Sequence, residues 1–168
     1  METQMNNKLL EALQGNFPGK ILQAETPYGF LTIEIPPADN VEIVSWLQNH
    51  EKWDMNFMTD LCGIHYPENE GKEIGVVYHL HSFKNNLRMR IKAFMPKDKA
   101  EIQTMTGLFA AANWMERETY DFYGIQFTGH PDLRRILNVD NMDYFPMLKE
   151  YALEDETRTD KTDKFFGR

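Results

Sequence analysis

A chain of 168 residues with 42% hydrophobic and 12% aromatic content can bury a single core of the usual size, which excludes wholesale disorder. Its net charge of -8 argues against a nucleic-acid partner, because an acidic surface repels phosphate backbones. The one cysteine, Cys62, excludes a disulfide framework and a cysteine-ligated iron–sulfur cluster, and fits a reducing compartment.

The first residues, Met1-Glu2-Thr3-Gln4-Met5, are polar and do not read as a signal peptide. No apolar run approaches the length of a membrane span, so a soluble or peripheral chain is expected. No internal repeat is visible. Residues 4–14 predict a short amphipathic helix with Leu9, Leu10 and Leu13 on one side and Gly15 as its stop. Residues 28–35 read as a strand: Leu31, Ile33 and Ile35 alternate with Phe30, Thr32 and Glu34, and Pro36-Pro37 ends the run. Asp39 is placed to cap a helix, with Glu42 completing a capping box. Ile43, Val44 and Leu47 give that helix a buried stripe to about Glu51.

A less regular strand is predicted over 55–65, and a loop rich in Glu, Asn and Gly over 67–72. Residues 74–83 and 87–95 form two strong strands around Lys84-Asn85-Asn86, where asparagine tolerates the positive φ of a tight turn. In the second of them Leu87, Met89, Ile91 and Ala93 alternate with Arg88, Arg90 and Lys92, so one face is packed and the other cationic. A helix is predicted over 106–123, capped by Thr106 and stopped by Gly124, with Leu108, Ala112, Met115, Thr119 and Phe122 facing inward. The pattern stops after Leu137. From Asp140 onward eight acidic residues face five basic ones, and apolar residues are mostly isolated. The expected class is α+β: a mixed or antiparallel sheet with a central hairpin packed by helices in a domain over 1–137, then an extended irregular tail over 138–168.

The densest charge pattern is Glu116-Arg117-Glu118-Thr119-Tyr120-Asp121-Phe122-Tyr123-Gly124-Ile125, followed by Gly129-His130-Pro131-Asp132-Leu133-Arg134-Arg135-Ile136-Leu137. On a helix Arg117 and Asp121 are one turn apart and can pair. Pro131-Asp132 reads as a turn, and Arg134-Arg135 offers two forked donors for carboxylates. Taken by chemistry alone, this is a solvated helix face followed by a basic turn.

The spacing resembles the signature of the thirty-kilodalton subunit of respiratory complex I, the proton-pumping NADH:quinone oxidoreductase. Glu116, Arg117, Glu118, Asp121, Phe122, Tyr123, His130, Arg134, Arg135 and Ile136 meet every constrained position of that signature. Thr59-Asp60-Leu61-Cys62-Gly63-Ile64-His65-Tyr66-Pro67 is similar to a second family segment, as are Val77-Tyr78-His79-Leu80 and Ala111-Ala112-Asn113-Trp114. The resemblance spans about residues 25–153, with a departure at Phe145-Pro146-Met147-Leu148-Lys149-Glu150-Tyr151-Ala152.

The resemblance implies a structural peripheral-arm subunit that supports the quinone-reducing module and has no catalytic site, cofactor or metal of its own. FMN, iron–sulfur clusters, NADH and ubiquinone or menaquinone would belong to the assembled complex. The implied partners are other peripheral-arm subunits, chiefly the large subunit that carries the quinone site and the iron–sulfur subunit that carries the terminal cluster. The implied location is the cytoplasmic side of the bacterial inner membrane, touched only through the complex. Related hydrogenases and ferredoxin-linked complexes carry a similar subunit, which leaves the electron donor open. The signature is then expected to be a subunit interface, and the tail a strap that orders on the quinone-site large subunit.

Three other readings of the residues are weaker. His79 and His81 share a strand face, but no third ligand lies nearby in sequence, so they read as half-buried strand histidines. Glu116, Glu118, Asp121 and His130 would make a hydrolase or metal cluster only if a pocket shifted their pKa values. Arg88, Arg90 and Lys92 make a short basic stripe without an RNA-binding fingerprint, better suited to acidic groups on a partner subunit. Cys62 reads as a small buried residue rather than a nucleophile.

Overall fold

The computed structural model describes residues 2–151. The elements in chain order are α1 (Glu2–Asn16), β1 (Gln23–Glu25), β2 (Leu31–Ile35), α2 (Asn40–Asn49), β3 (Phe57–His65), β4 (Ile74–Ser82), β5 (Leu87–Met95), β6 (Glu101–Gln103), α3 (Ala112–Tyr123) and β7 (Gln126–Thr128). Five strands form one mixed sheet in the order β1-β2-β5-β4-β3. The β2–β5 pair is parallel and the other pairs are antiparallel. β6 and β7 form a separate parallel pair joined through α3. This is the α+β class expected.

The β4–β5 hairpin lies inside the sheet, and its turn places Asn86 at φ 47°, as an asparagine there allows. One sheet face carries Leu31, Ile33, Ile35, Val76, Tyr78, Leu80, Met89 and Ile91, all buried with Leu9 and Leu13 of α1 and Ile43, Val44 and Leu47 of α2 in one cluster. Burying such side chains stabilises by about 1.5–3 kcal/mol each. The alternation predicted for β5 holds: Leu87, Met89, Ile91 and Ala93 are buried, while Arg88 is exposed and Arg90 and Lys92 are half-buried on the other face. β3 is irregular because a bulge interrupts its register between Met58 and Asp60.

Several boundaries differ from expectation. α1 runs through Gly15 to Asn16, and the left-handed glycine that ends this region is Gly19, at φ 79°. Asp39 precedes α2 but makes no capping bond, because its φ of -100° and ψ of 3° lie outside the extended region a cap needs. Asp39 and Glu42 instead clamp Lys20, at 2.8 and 2.5 Å. α2 ends at Asn49 rather than Glu51. α3 begins at Ala112, not Thr106, because residues 105–111 close a series of turns on the Met105 and Phe109 carbonyls. Gly124 does take the left-handed C-terminal position, at φ 78°. The inner face of α3 also differs. Ala112 and Thr119 are buried as expected, but Met115 and Phe122 are only half-buried, and the other fully enclosed positions are Glu116 and Asp121.

Residues 138–151 are irregular in conformation yet return to the core. Leu148 is buried within it, and the Met147 N–H donates to the Phe122 carbonyl at 3.1 Å. This is the segment that departs from the family pattern, and its docking is defined through Tyr151. Glu154, Asp155, Glu156, Asp160, Asp163, Phe165 and Phe166 of the expected strap lie outside the described residues.

Candidate functional site

Two carboxylates on α3 organise the signature. Asp121 is fully buried. Its Oδ2 accepts the consecutive backbone N–H groups of Ile136, Leu137 and Asn138 at 3.1, 2.8 and 2.9 Å. Its Oδ1 accepts from Arg135 at 2.7 Å and from the Asn138 amide at 3.1 Å. Burial alone would raise the pKa of this carboxyl. The N–H groups of Asn138 and Leu137, with Arg135, overcome that and hold it well below the usual carboxylate range. Three successive N–H groups converging on one anion make a backbone nest, filled here by the chain's own side chain.

Arg135 continues the lock. It donates to the Asp121 carbonyl and to the carbonyls of Met142 and Tyr144, and its guanidinium lies 5.0 Å from the Phe145 ring centroid. Phe145 in turn packs on Gly124, where an added Cβ would meet its ring at 2.6 Å. The predicted Arg117–Asp121 pair does not form. Asp121 is already saturated by Arg135 and the nest, and Arg117 donates instead to the carbonyls of Arg134 and Arg135. Arg134 is exposed and, among the described residues, pairs only with Asp132, at 2.9 Å.

Glu116 is the second buried acid. It accepts from the Met105 N–H at 2.6 Å and the Thr104 hydroxyl at 2.5 Å. Burial outweighs these two bonds and pushes its pKa up to about 7. His130 Nε2 stands 4.0 Å from the Glu116 carboxylate, and both side chains are fully enclosed. The His130 Nδ1 accepts the Asp132 N–H, so Nε2 carries the ring proton and donates to the Asn113 carbonyl at 3.1 Å. Glu116 thereby ties α3 to the end of β6, and His130 ties the loop after β7 back to α3.

The structure therefore joins Glu116 with His130 and Asp121 with Arg135 and Ile136, and leaves Glu118 and Arg134 facing solvent. Phe122 and Tyr123 are half-buried. Tyr123 lies on Gly63 of β3, so close that an added Cβ would stand 2.4 Å from its ring. The two family-like segments, distant in sequence, thus meet in space. A groove of about 230 Å³ between β3 and α3 is lined by Asp60, Cys62, Glu118, Phe122 and Met147, and neither Glu116 nor Asp121 opens into it. Cys62 is half-buried there and burial raises its thiol pKa, the opposite of nucleophile activation. His81 is buried and accepts from Arg88 Nε at 3.1 Å; His79 is half-buried, with its pKa lowered by burial and by Arg90. Among the described residues no three His, Cys, Asp or Glu side chains gather in a metal-binding cluster. No described helix is long and apolar enough to cross a membrane.

Sequence reasoning missed the partners of the buried acids: Thr104, the Met105 and Leu137 N–H groups, and Asn138. Backbone donors leave no residue signature, and of the two side-chain donors Asn138 stands directly after the motif while Thr104 lies 12 residues before Glu116.

The fold and site define an α+β domain whose charged motif fastens its own loops. The sequence model for the respiratory-chain NADH dehydrogenase 30 Kd subunit matches residues 33–157. A relative, the NADH-quinone oxidoreductase C 2 subunit of Rhizobium meliloti (strain 1021), is 40% identical over 145 residues, covering 86% of this chain and 78% of the relative. Among solved structures, the trypsin-resistant fragment (1–134) of Nqo5 superposes with a TM-score of 0.61 at 29% identity, covering 79% of this chain and 100% of the fragment. A chain of the membrane-bound sulfane sulfur reductase, an archaeal respiratory membrane complex, shares the fold with a TM-score of 0.73 at 20% identity, covering 89% and 86% of the two chains. The chain belongs to the 30 kDa subunit family of respiratory-chain NADH dehydrogenases.

Proposed function

We propose that this chain is a structural peripheral-arm subunit of a proton-translocating NADH:quinone oxidoreductase, contributing rigidity and docking surface rather than chemistry. The observation that carries this reading is the occupancy of the signature acids. Asp121 fills its own nest and Glu116 is sealed against Thr104, Met105 and His130, so both act within the chain. Family membership supports the assembly.

In this reading the chain binds no cofactor, and FMN, clusters, NADH and quinone are handled by other subunits. Its partners are chiefly the subunits that carry the quinone site and the terminal cluster. It meets the inner membrane on the cytoplasmic side, through them. The docking surface is the exposed part of the signature, Glu118 and Arg134, with the exposed neighbours Trp114, one turn before Glu118 on α3, and Leu137. Buried interface charges left unpaired cost about 2–5 kcal/mol, so R134A should lower the yield of assembled complex without unfolding the chain. R135A should unfold the loop that it holds.

The test is affinity purification of the tagged chain from membranes in mild detergent, followed by mass spectrometry. Recovery of NADH-oxidising and quinone-site subunits is expected. Recovery of hydrogenase subunits would reassign the donor. Normal assembly of R134A with quinone reductase turnover abolished would overturn the docking role.

A further inference from the structure

We propose that the open face of the five-stranded sheet, around Thr32, His79, Arg88 and Arg90, is a docking surface for an acidic, extended segment of a partner protein. The inference rests on the reading that the chain works within an assembly, and concerns a face the signature does not touch. The helices pack on the opposite side, with Ile33, Tyr78 and Ile91.

Strand register orders this face in rows. Phe57, His81 and Arg88 stand side by side across β3, β4 and β5. The next row is Asp60, His79, Arg90 and Thr32. Among the described residues, two atoms in it are buried without a hydrogen-bond partner: Arg90 Nε and Thr32 Oγ1, on directly paired residues. Both atoms are closed to solvent and Thr32 is only 2% exposed, so a docked segment would reach this row through the half-buried Arg90 guanidinium rather than through the Thr32 hydroxyl.

The chemistry of that segment follows from charge. The chain carries 26 acidic residues, and Lys20, Lys72, Lys92 and Lys97 each hold a carboxylate. Among the described residues, Arg88 and Arg90 hold none within 4.0 Å. Their forked donors are suited to carboxylates. They sit two residues apart on one strand, a spacing of about 6.6 Å, which is also the repeat of alternate side chains along an extended peptide. At the same end Phe57 and Phe83 are 46% and 67% exposed with ring centroids 5.1 Å apart, a place for an apolar side chain beside the acids. The hollow at the arginines holds only about 170 Å³, below the usual size of a small-molecule site. The net charge of -8 disfavours a long polyanion such as a nucleic acid more than a short segment that offers one or two carboxylates to the two arginines.

The test compares free chain with chain in purified complex. In wild type, labelling of Arg88 and Arg90 by phenylglyoxal, read by mass spectrometry, should fall severalfold on assembly. In R88K and R90K, which keep the charge, a zero-length carbodiimide should join the introduced amine to an Asp or Glu of another polypeptide. Equal labelling in both states would overturn the inference. So would cross-links only to acids of this same chain, or protection that a nuclease removes. A chain that co-purifies with no other subunit would instead overturn the function proposed above.

Discussion

Replacing Glu116 with Gln separates a buried charge from a buried shape. The folded chain raises the Glu116 pKa from 4.5 to about 7. Between those values the folded state keeps a proton that the unfolded state releases. Stability from this group is therefore highest at acid pH, falls as pH rises from 4.5, and is fully lost above about 7. A shift of this size corresponds to about 3 kcal/mol. The E116Q side chain carries no charge to desolvate; its oxygen can keep the Met105 N–H, and its amide can donate to the Thr104 hydroxyl, which rotates to accept. The assay is urea unfolding at pH 5, 6, 7 and 8, followed by fluorescence of the buried Trp53. E116Q should match or fall slightly below wild type at pH 5, gain on it up to about pH 7 and level off by pH 8. The difference between the two proteins should change by about 3 kcal/mol over that range. A difference that stays constant with pH would refute the desolvation argument.

D121N should destabilise by about 3–5 kcal/mol, because it replaces an oxygen of the nest with a donor and discharges the partner of Arg135; amide exchange at Ile136, Leu137 and Asn138 should accelerate first. In wild type that stabilisation holds above the ordinary carboxylate range and is lost only as pH falls below it, so acid unfolding should begin earlier in a variant that weakens the nest. G63A forces the Tyr123 ring to move and should cost about 1–3 kcal/mol in thermal unfolding, and less in a Y123A background. Tyr28 is 93% exposed with φ 56°, so Y28G should raise the melting temperature by relieving about 1 kcal/mol of strain; no change would mean the turn is set by its neighbours.

Much of the fold was legible where residue pattern and burial coincide. The alternation in β5, the Asn86 turn and the Gly124 stop each rest on a local physical rule, and each holds in the structure. The three-residue strands β1, β6 and β7 carry no alternation long enough to read. Thr106 failed as a cap because its hydroxyl bonds Thr104 instead, at 2.9 Å. At the site, residue spacing suggested the wrong pairing. A helix turn of separation suggested Arg117 for Asp121, whereas the chain folds back and delivers Arg135 with three backbone donors. Such donors belong to every residue alike, so no sequence pattern announces them.

The sheet order has a bearing on how the unassembled chain survives. One rim is β1, three residues long with all side chains exposed, too short to recruit a second copy. The other rim, β3, is nine residues long, but the bulge after Met58 breaks its hydrogen-bonding line and α3 lies against it. The exposed Asp60 adds a charge where a flat neighbour would have to approach. Among the described residues, therefore, neither rim offers a long flat edge to a second copy, and a variant that straightened β3 should form fibres while its core stayed intact.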